Sequence, residues 1–178
     1  MGTTATKLTV EDFLATPERE DVRQELIDGE IVEMSRGGPL HETVKANVMI
    51  RLAFYFLSNR LSGKVFSETM YQLSEHDASM PDVSVVLSGK LDPHGTGKTS
   101  VAPDLVVEVV SSESAARLQE KVSLYINRGV RAVWVAYPTL RVVDVYKGGG
   151  VRRLTAEQNQ EDGDSLPGFS VQVGAFFE

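Results

Sequence analysis

The sequence predicts an α+β fold in which a mixed sheet is flanked by helices, and three observations lead there. The centre of the chain reads as helix, three strand-like runs, helix, strand. Apolar residues recur at helical spacing in the two helices and alternate in the runs between them. With 178 residues, 42% of them hydrophobic and 24% charged, the chain suits one domain spanning residues 1–178 with an ordinary core.

The elements follow in order. Thr9 and Asp12 in "LTVEDFLATP" form an N-capping pattern for a short opening helix that Pro17 helps to end. "RQELIDGEIVEMS" reads as a hairpin turning at Asp28-Gly29. From His41 to about Arg60, Val44, Val48, Leu52 and Tyr55 recur at helical spacing, Met49, Phe56 and Leu57 widen the stripe, and Gly63 is expected to stop the helix. "KVFSETMYQL", "PDVSVVLS" and "PDLVVEVVS" are the three strand-like runs. A second helix runs from an N-cap at Ser112 or Ser114 to Gly129, with Leu118, Val122, Tyr125 and Ile126 on its apolar face. "RAVWVAY" is a buried strand with Trp134 in the core, and "RVVDVY", "VRRLT" and "FSVQV" complete the strands. "DSLPGF" is expected to be a surface turn leading to a packed strand.

Composition excludes several functions. There is no Cys, so no disulfide framework, thiolate zinc site or thiol nucleophile is available, which suits the reducing cytoplasm. The N-terminus has no signal-type apolar core, and the longest apolar stretch, "VMIRLAFYFL", is short and carries Arg51, so a soluble, unprocessed chain without a membrane span is expected. A net charge of −7 argues against a nonspecific grip on nucleic acid, so DNA binding must rest on a local site.

The two Pro-Asp pairs, Pro81-Asp82 and Pro103-Asp104, each open a Val-rich run, and a buried carboxylate needs a partner or a cation. Strand alternation puts Asp82, Ser84 and Val86 on one face of the first run, and Asp104, Val106, Glu108 and Val110 on one face of the second. Antiparallel pairing of the runs would bring Asp82 to Glu108. Two such carboxylates repel unless a proton or cation joins them, and hard oxygen ligands suit Mg²⁺ or Mn²⁺. Lys121, on the next helix, flanks the apolar stripe three residues after Leu118 and can point over the sheet edge, where an ammonium would orient water or offset charge on a phosphate. Plainer readings stand beside this one. Asp82 could simply follow a turn-forming Pro, Glu108 could sit at an edge or pair with Arg131, and Lys121 could be a solvated helix residue.

"QELIDGEIVEM", "PDVSVV", "PDLVVEVVS", "EKVSLYINRGVRAVWVAYP", "RVVDVY" and "LPGF" resemble, in order and over most of the chain, the Uma family of restriction-endonuclease-like proteins. The resemblance implies a PD-(D/E)-x-K nuclease core and a metal site at Asp82 and Glu108. Val110 stands where the Lys of that pattern would be, and the family places its Lys on the following helix, here Lys121. Many members carry an Asp one turn before it; here that position is Arg117, so a second metal or polar contact from that Asp is not carried over. Glu25 matches an acidic position of the first hairpin and is a candidate auxiliary metal ligand.

"HGTGKTS" fails as a phosphate loop, because Asp92 stands where the first Gly is needed and a strand follows. The loop from Ser88 to Ala102 is instead expected to touch a phosphate backbone through Lys90, His94 and Lys98. His41, His76 and His94 lack zinc spacing, and His41 reads as a capping or packing residue. The leading expectation is a Mg²⁺- or Mn²⁺-dependent DNA endonuclease, working as a homodimer in the cytoplasm, with Asp82, Glu108 and Lys121 catalytic and Glu25 assisting. Its rival is a noncatalytic nuclease-fold module that binds nucleic acid or a protein.

Overall fold

The computed structural model describes residues 7–17, 19–87, 89–90 and 99–178. Helix α1 (Val10–Leu14) opens with the expected capping box, Thr9 and Asp12 each satisfying the other's backbone N–H. Strands β1 (Val22–Ile27) and β2 (Glu30–Ser35) form the predicted hairpin. Its turn needs positive φ at both central residues, which Asp28 (52°) and Gly29 (78°) supply.

Helix α2 (Pro39–Ser58) buries Val44, Val48, Leu52, Tyr55 and Phe56, whereas Leu57 is 77% exposed and not part of the packed stripe. Nor does Gly63 end the helix. Asn59 caps it, donating its side-chain amide to Tyr55 O, and Arg60 turns the chain at φ 53°. Gly63 is small because the Phe56 ring lies against it; an added Cβ would stand 2.1 Å from Phe56 Cε1.

The run "KVFSETMYQL" divides in two. Strand β3 (Lys64–Ser67) ends where Glu68 adopts φ 48°, and the chain re-emerges as β4 (Tyr71–Gln72) in a different sheet with β5 (Ala78–Ser79). The remaining elements are β6 (Val83–Val86), β7 (Leu105–Val109), α3 (Ala115–Asn127), β8 (Ala132–Tyr137), β9 (Val142–Lys147), β10 (Gly150–Leu154), β11 (Asn159–Asp162), β12 (Leu166–Gln172) and a 3₁₀ helix (Val173–Phe177). The turn at "DSLPGF" leads to a packed strand as expected, with Phe169 buried 5.4 Å from Tyr55 and 5.7 Å from Trp134, but Leu166 within it is buried too. β11 and the 3₁₀ helix carry too little periodicity to be read from sequence.

Strands pair in the order β10-β9-β8-β7-β6-β3, antiparallel except for β7 against β8, so the sheet is mixed as predicted. A second sheet runs β2-β1-β5-β4. Helix α2 and the 3₁₀ helix cover one face of the main sheet through Val83, Val85, Leu105, Val107, Val109 and Trp134. Helix α3 covers the other through Leu118, Val122 and Tyr125 packed on Val106, Val133 and Val135. Ile126 is 39% exposed and lies off that contact. Strands β6 and β7 are therefore buried on both faces, and any carboxylate on them must be satisfied from within the protein.

Candidate active site

Strands β6 and β7 pair with Val83 opposite Val107 and Val85 opposite Leu105, a register that sets Asp82 across from Glu108. Both are buried, at 1% and 3% exposure. Ser114 caps α3 by accepting from Arg117 N, and one helical turn apart Lys121 and Tyr125 reach the same place. Glu25, on β1, completes the group of buried acids.

Each carboxylate has an internal partner. Asp82 Oδ1 accepts from Arg23 Nη1 at 2.8 Å. Its Oδ2 accepts from Val109 N at 2.7 Å and faces His41 Nε2 at 3.1 Å. Burial alone would raise the pKa of Asp82, but the His41 hydrogen bond and the Arg23 charge overcome it and hold the group well below the usual range. Glu108 Oε1 accepts from Tyr125 OH at 2.6 Å and lies 2.9 Å from Lys121 Nζ. The Tyr125 proton is thereby used, so Ser79, 2.8 Å from the same hydroxyl, donates to it. Burial, with Asp82 and Glu25 nearby, outweighs Lys121 and pushes Glu108 up to about 7. For Lys121 the balance is reversed: burial favours the neutral amine, yet Glu108 and Glu25 hold it protonated, its pKa raised.

Glu25 Oε1 accepts from Met80 N at 2.8 Å and from Lys121 Nζ at 3.3 Å. Its Oε2 is equally close to that ammonium but outside hydrogen-bond geometry, and is buried with no donor. Lys121 thus bridges Glu25 and Glu108, and the three predicted site residues and the auxiliary acid are brought together.

The cleft over Asp82, Glu108 and Lys121 has a volume of about 390 Å³ and is also lined by Arg23, His41 and Arg117. Arg117 is ion-paired with Glu120 at 2.9 Å. The hairpin meets the β7–α3 loop at its edge through a 2.7 Å hydrogen bond between Ser35 and Ser112.

In kind, this donor set fits a hard divalent cation. Asp82 and Glu108 offer oxygens from facing positions, and Glu25 Oε2 lacks a donor. Among the described residues, however, no three acidic or histidine side chains are gathered around one point.

Sequence reasoning missed Arg23 and the hydroxyl of Tyr125, and read His41 as a capping or packing residue. The available signals were slight: Arg23 stands two residues before Glu25 on one strand face, and Tyr125 follows Lys121 by four. Arg131 pairs with Asp104 at 3.4 Å, not with Glu108. Asp104 also takes Lys90 at 2.7 Å and Leu87 N at 2.9 Å, so Lys90 is committed to a buried carboxylate. His94 and Lys98, the other expected phosphate contacts, lie outside the described residues.

A family model described as "Putative restriction endonuclease", Uma2, matches residues 10–174. The chain belongs to the Uma2 family. A solved structure described as "a putative nuclease belonging to DUF820 from Anabaena variabilis ATCC 29413" superposes with a TM-score of 0.85 at 18% identity, covering 96% of this chain and 97% of that one. At that identity the likeness shows the fold: this Uma2 chain has the architecture of that protein. No curated protein matches it. Among the described residues no helix is long and apolar enough to cross a membrane.

Proposed function

We propose that this Uma2 chain is a single-domain, divalent-metal-dependent DNA endonuclease that hydrolyses phosphodiester bonds. Asp82 and Glu108 would hold Mg²⁺ or Mn²⁺, with Glu25 as auxiliary ligand. The observation that carries the reading is the β6–β7 register, which faces Asp82 with Glu108, the latter met by Lys121 from α3. The ion, when bound, supplies Lewis acidity toward a phosphate oxygen and a more acidic water. Lys121 stays protonated between Glu108 and Glu25 and offsets negative charge growing on the phosphate. Tyr125 and Ser79 fix the Glu108 carboxylate, and His41 and Val109 N fix that of Asp82. Work on duplex DNA in the cytoplasm as a twofold dimer belongs to the same reading, since two strands need two cuts and twofold pairing is the commonest closed assembly.

A second reading, a noncatalytic binding module, is favoured by one feature: Arg23 and Lys121 already neutralise the acids. Incubation of supercoiled plasmid with the protein and Mn²⁺ separates the two. Nicking by wild type that is lost on chelation and in Lys121→Met supports the nuclease. No nicking by wild type, or nicking unchanged in Lys121→Met, contradicts it.

A further inference from the structure

Arg23 stands in the wall between two cavities. It lines the cleft that holds Asp82 and Glu108, and also a second cavity of about 330 Å³ lined by Glu68, Met70 and Met80. Its Nη1 is 2.8 Å from Asp82 Oδ1 and 3.8 Å from Glu68 Oε1, so two carboxylates on opposite sides compete for one guanidinium. Glu68 is fixed there. Its backbone holds φ 48°, its N–H donates to Asp82 O at 3.3 Å, and its side chain pairs with Lys45 at 2.7 Å.

The two oxygens of Asp82 are used differently. Oδ2 is held by the Val109 backbone and by His41, whereas Oδ1 takes Arg23. One side-chain movement therefore opens Oδ1 to another cation. A guanidinium and a divalent ion cannot share that oxygen, because like charges a few ångströms apart in a poorly solvated cleft repel strongly. Yet an Asp82 with no cation would be a buried charge with reduced compensation.

We propose that Arg23 is the resident counter-ion of the metal position: it occupies Asp82 Oδ1 until a divalent ion enters, then withdraws toward Glu68 and the second cavity. This rests on the reading of Asp82 and Glu108 as metal ligands. Arg23 lets the carboxylate be buried before metal arrives, at the cost of weaker ion binding, and Glu68 recovers part of that cost by receiving the displaced guanidinium.

The test is calorimetric titration of Mn²⁺ into wild type, Arg23→Met, Arg23→Gln, Glu68→Gln and the double variant Arg23→Met/Glu68→Gln, with no nucleic acid present. Removing Arg23 is expected to tighten Mn²⁺ binding by about tenfold or more. Glu68→Gln is expected to weaken it severalfold when Arg23 is present and to change it little when Arg23 is absent. Equal affinity in wild type and the Arg23 variants overturns the counter-ion role while leaving the metal site standing. Binding lost with Arg23 also overturns it. No binding in wild type or the Arg23 variants removes the metal reading and this inference together. Should neither Arg23 variant fold, Glu68→Gln decides, and an unchanged affinity there counts against the proposal.

Discussion

Asp82 accepts from three groups on two oxygens, at 1% exposure, so its removal leaves Arg23, His41 and Val109 N short of a partner together. Asp82→Ala is expected to cost about 3–5 kcal/mol in urea unfolding, the range for breaking a buried ion pair on one side. Glu108 gives the opposite sign with pH. Its folded pKa of about 7 lies above the ordinary carboxylate value of 4.5, so the folded chain holds a proton that the unfolded chain has released between those limits. Stability from this group is therefore present below about 4.5 and declines as pH rises to about 7, by at most roughly 3 kcal/mol. Urea midpoints of wild type should fall relative to Glu108→Gln across that window and run parallel above it; parallel curves throughout would remove the raised pKa. That Asp82 faces Glu108 was legible because strand alternation is a local rule and successive strands commonly pair. Arg23 and His41 were not, since they reach Asp82 across sequence separations of 59 and 41 residues and nothing in their own neighbourhoods announces the partner.

At the scale of elements, the hairpin, α2, α3 and the central strands announced themselves through turn chemistry, caps and periodicity. Errors arose where tertiary packing used a residue in another way. Leu57 lies next to the stripe of α2 in sequence and yet faces outward, because the sheet contact is made by Val44, Val48, Leu52, Tyr55 and Phe56. Gly63 serves close approach to Phe56, not helix termination, and this carries a prediction. Gly63→Ala must displace the Phe56 ring and should lower stability by about 1–3 kcal/mol, the usual cost of overpacking. Gly150→Ala, whose nearest neighbour would be 3.9 Å away at Lys147 O, should stay within about 0.5 kcal/mol of wild type. Equal thermal midpoints for the two variants would show that the Phe56 contact is slack. Lys121 was read at the edge of the α3 stripe, and it is buried at 3% exposure; it fits there because Glu25 and Glu108 meet its charge.

For the whole molecule, a net charge of −7 sets the terms of any encounter with a polyanion. DNA affinity measured by fluorescence anisotropy without divalent metal should be weak, and its salt slope should correspond to about one or two phosphates. A steep slope would reveal a basic surface that the cleft does not provide. The mixed sheet with a helix on each face was predictable from element order, and its likeness to a nuclease-described structure follows that order. The second sheet was not, because β4 and β5 are only two residues each, and β5 joins the hairpin through β1 while β4 pairs with β5. That sheet positions Arg23 and Glu25, and so supplies the part of the site that sequence reasoning read least completely.

The central claim is that facing carboxylates on β6 and β7 hold a divalent ion, and it is tested most directly by calorimetric titration of Mn²⁺, to millimolar concentration, into wild type and Asp82→Ala. The expected result is saturable binding in wild type that disappears in the variant while the variant remains folded. Binding that persists unchanged in Asp82→Ala, or its absence from wild type even with DNA added, would contradict the metal site and leave a noncatalytic module on a nuclease scaffold.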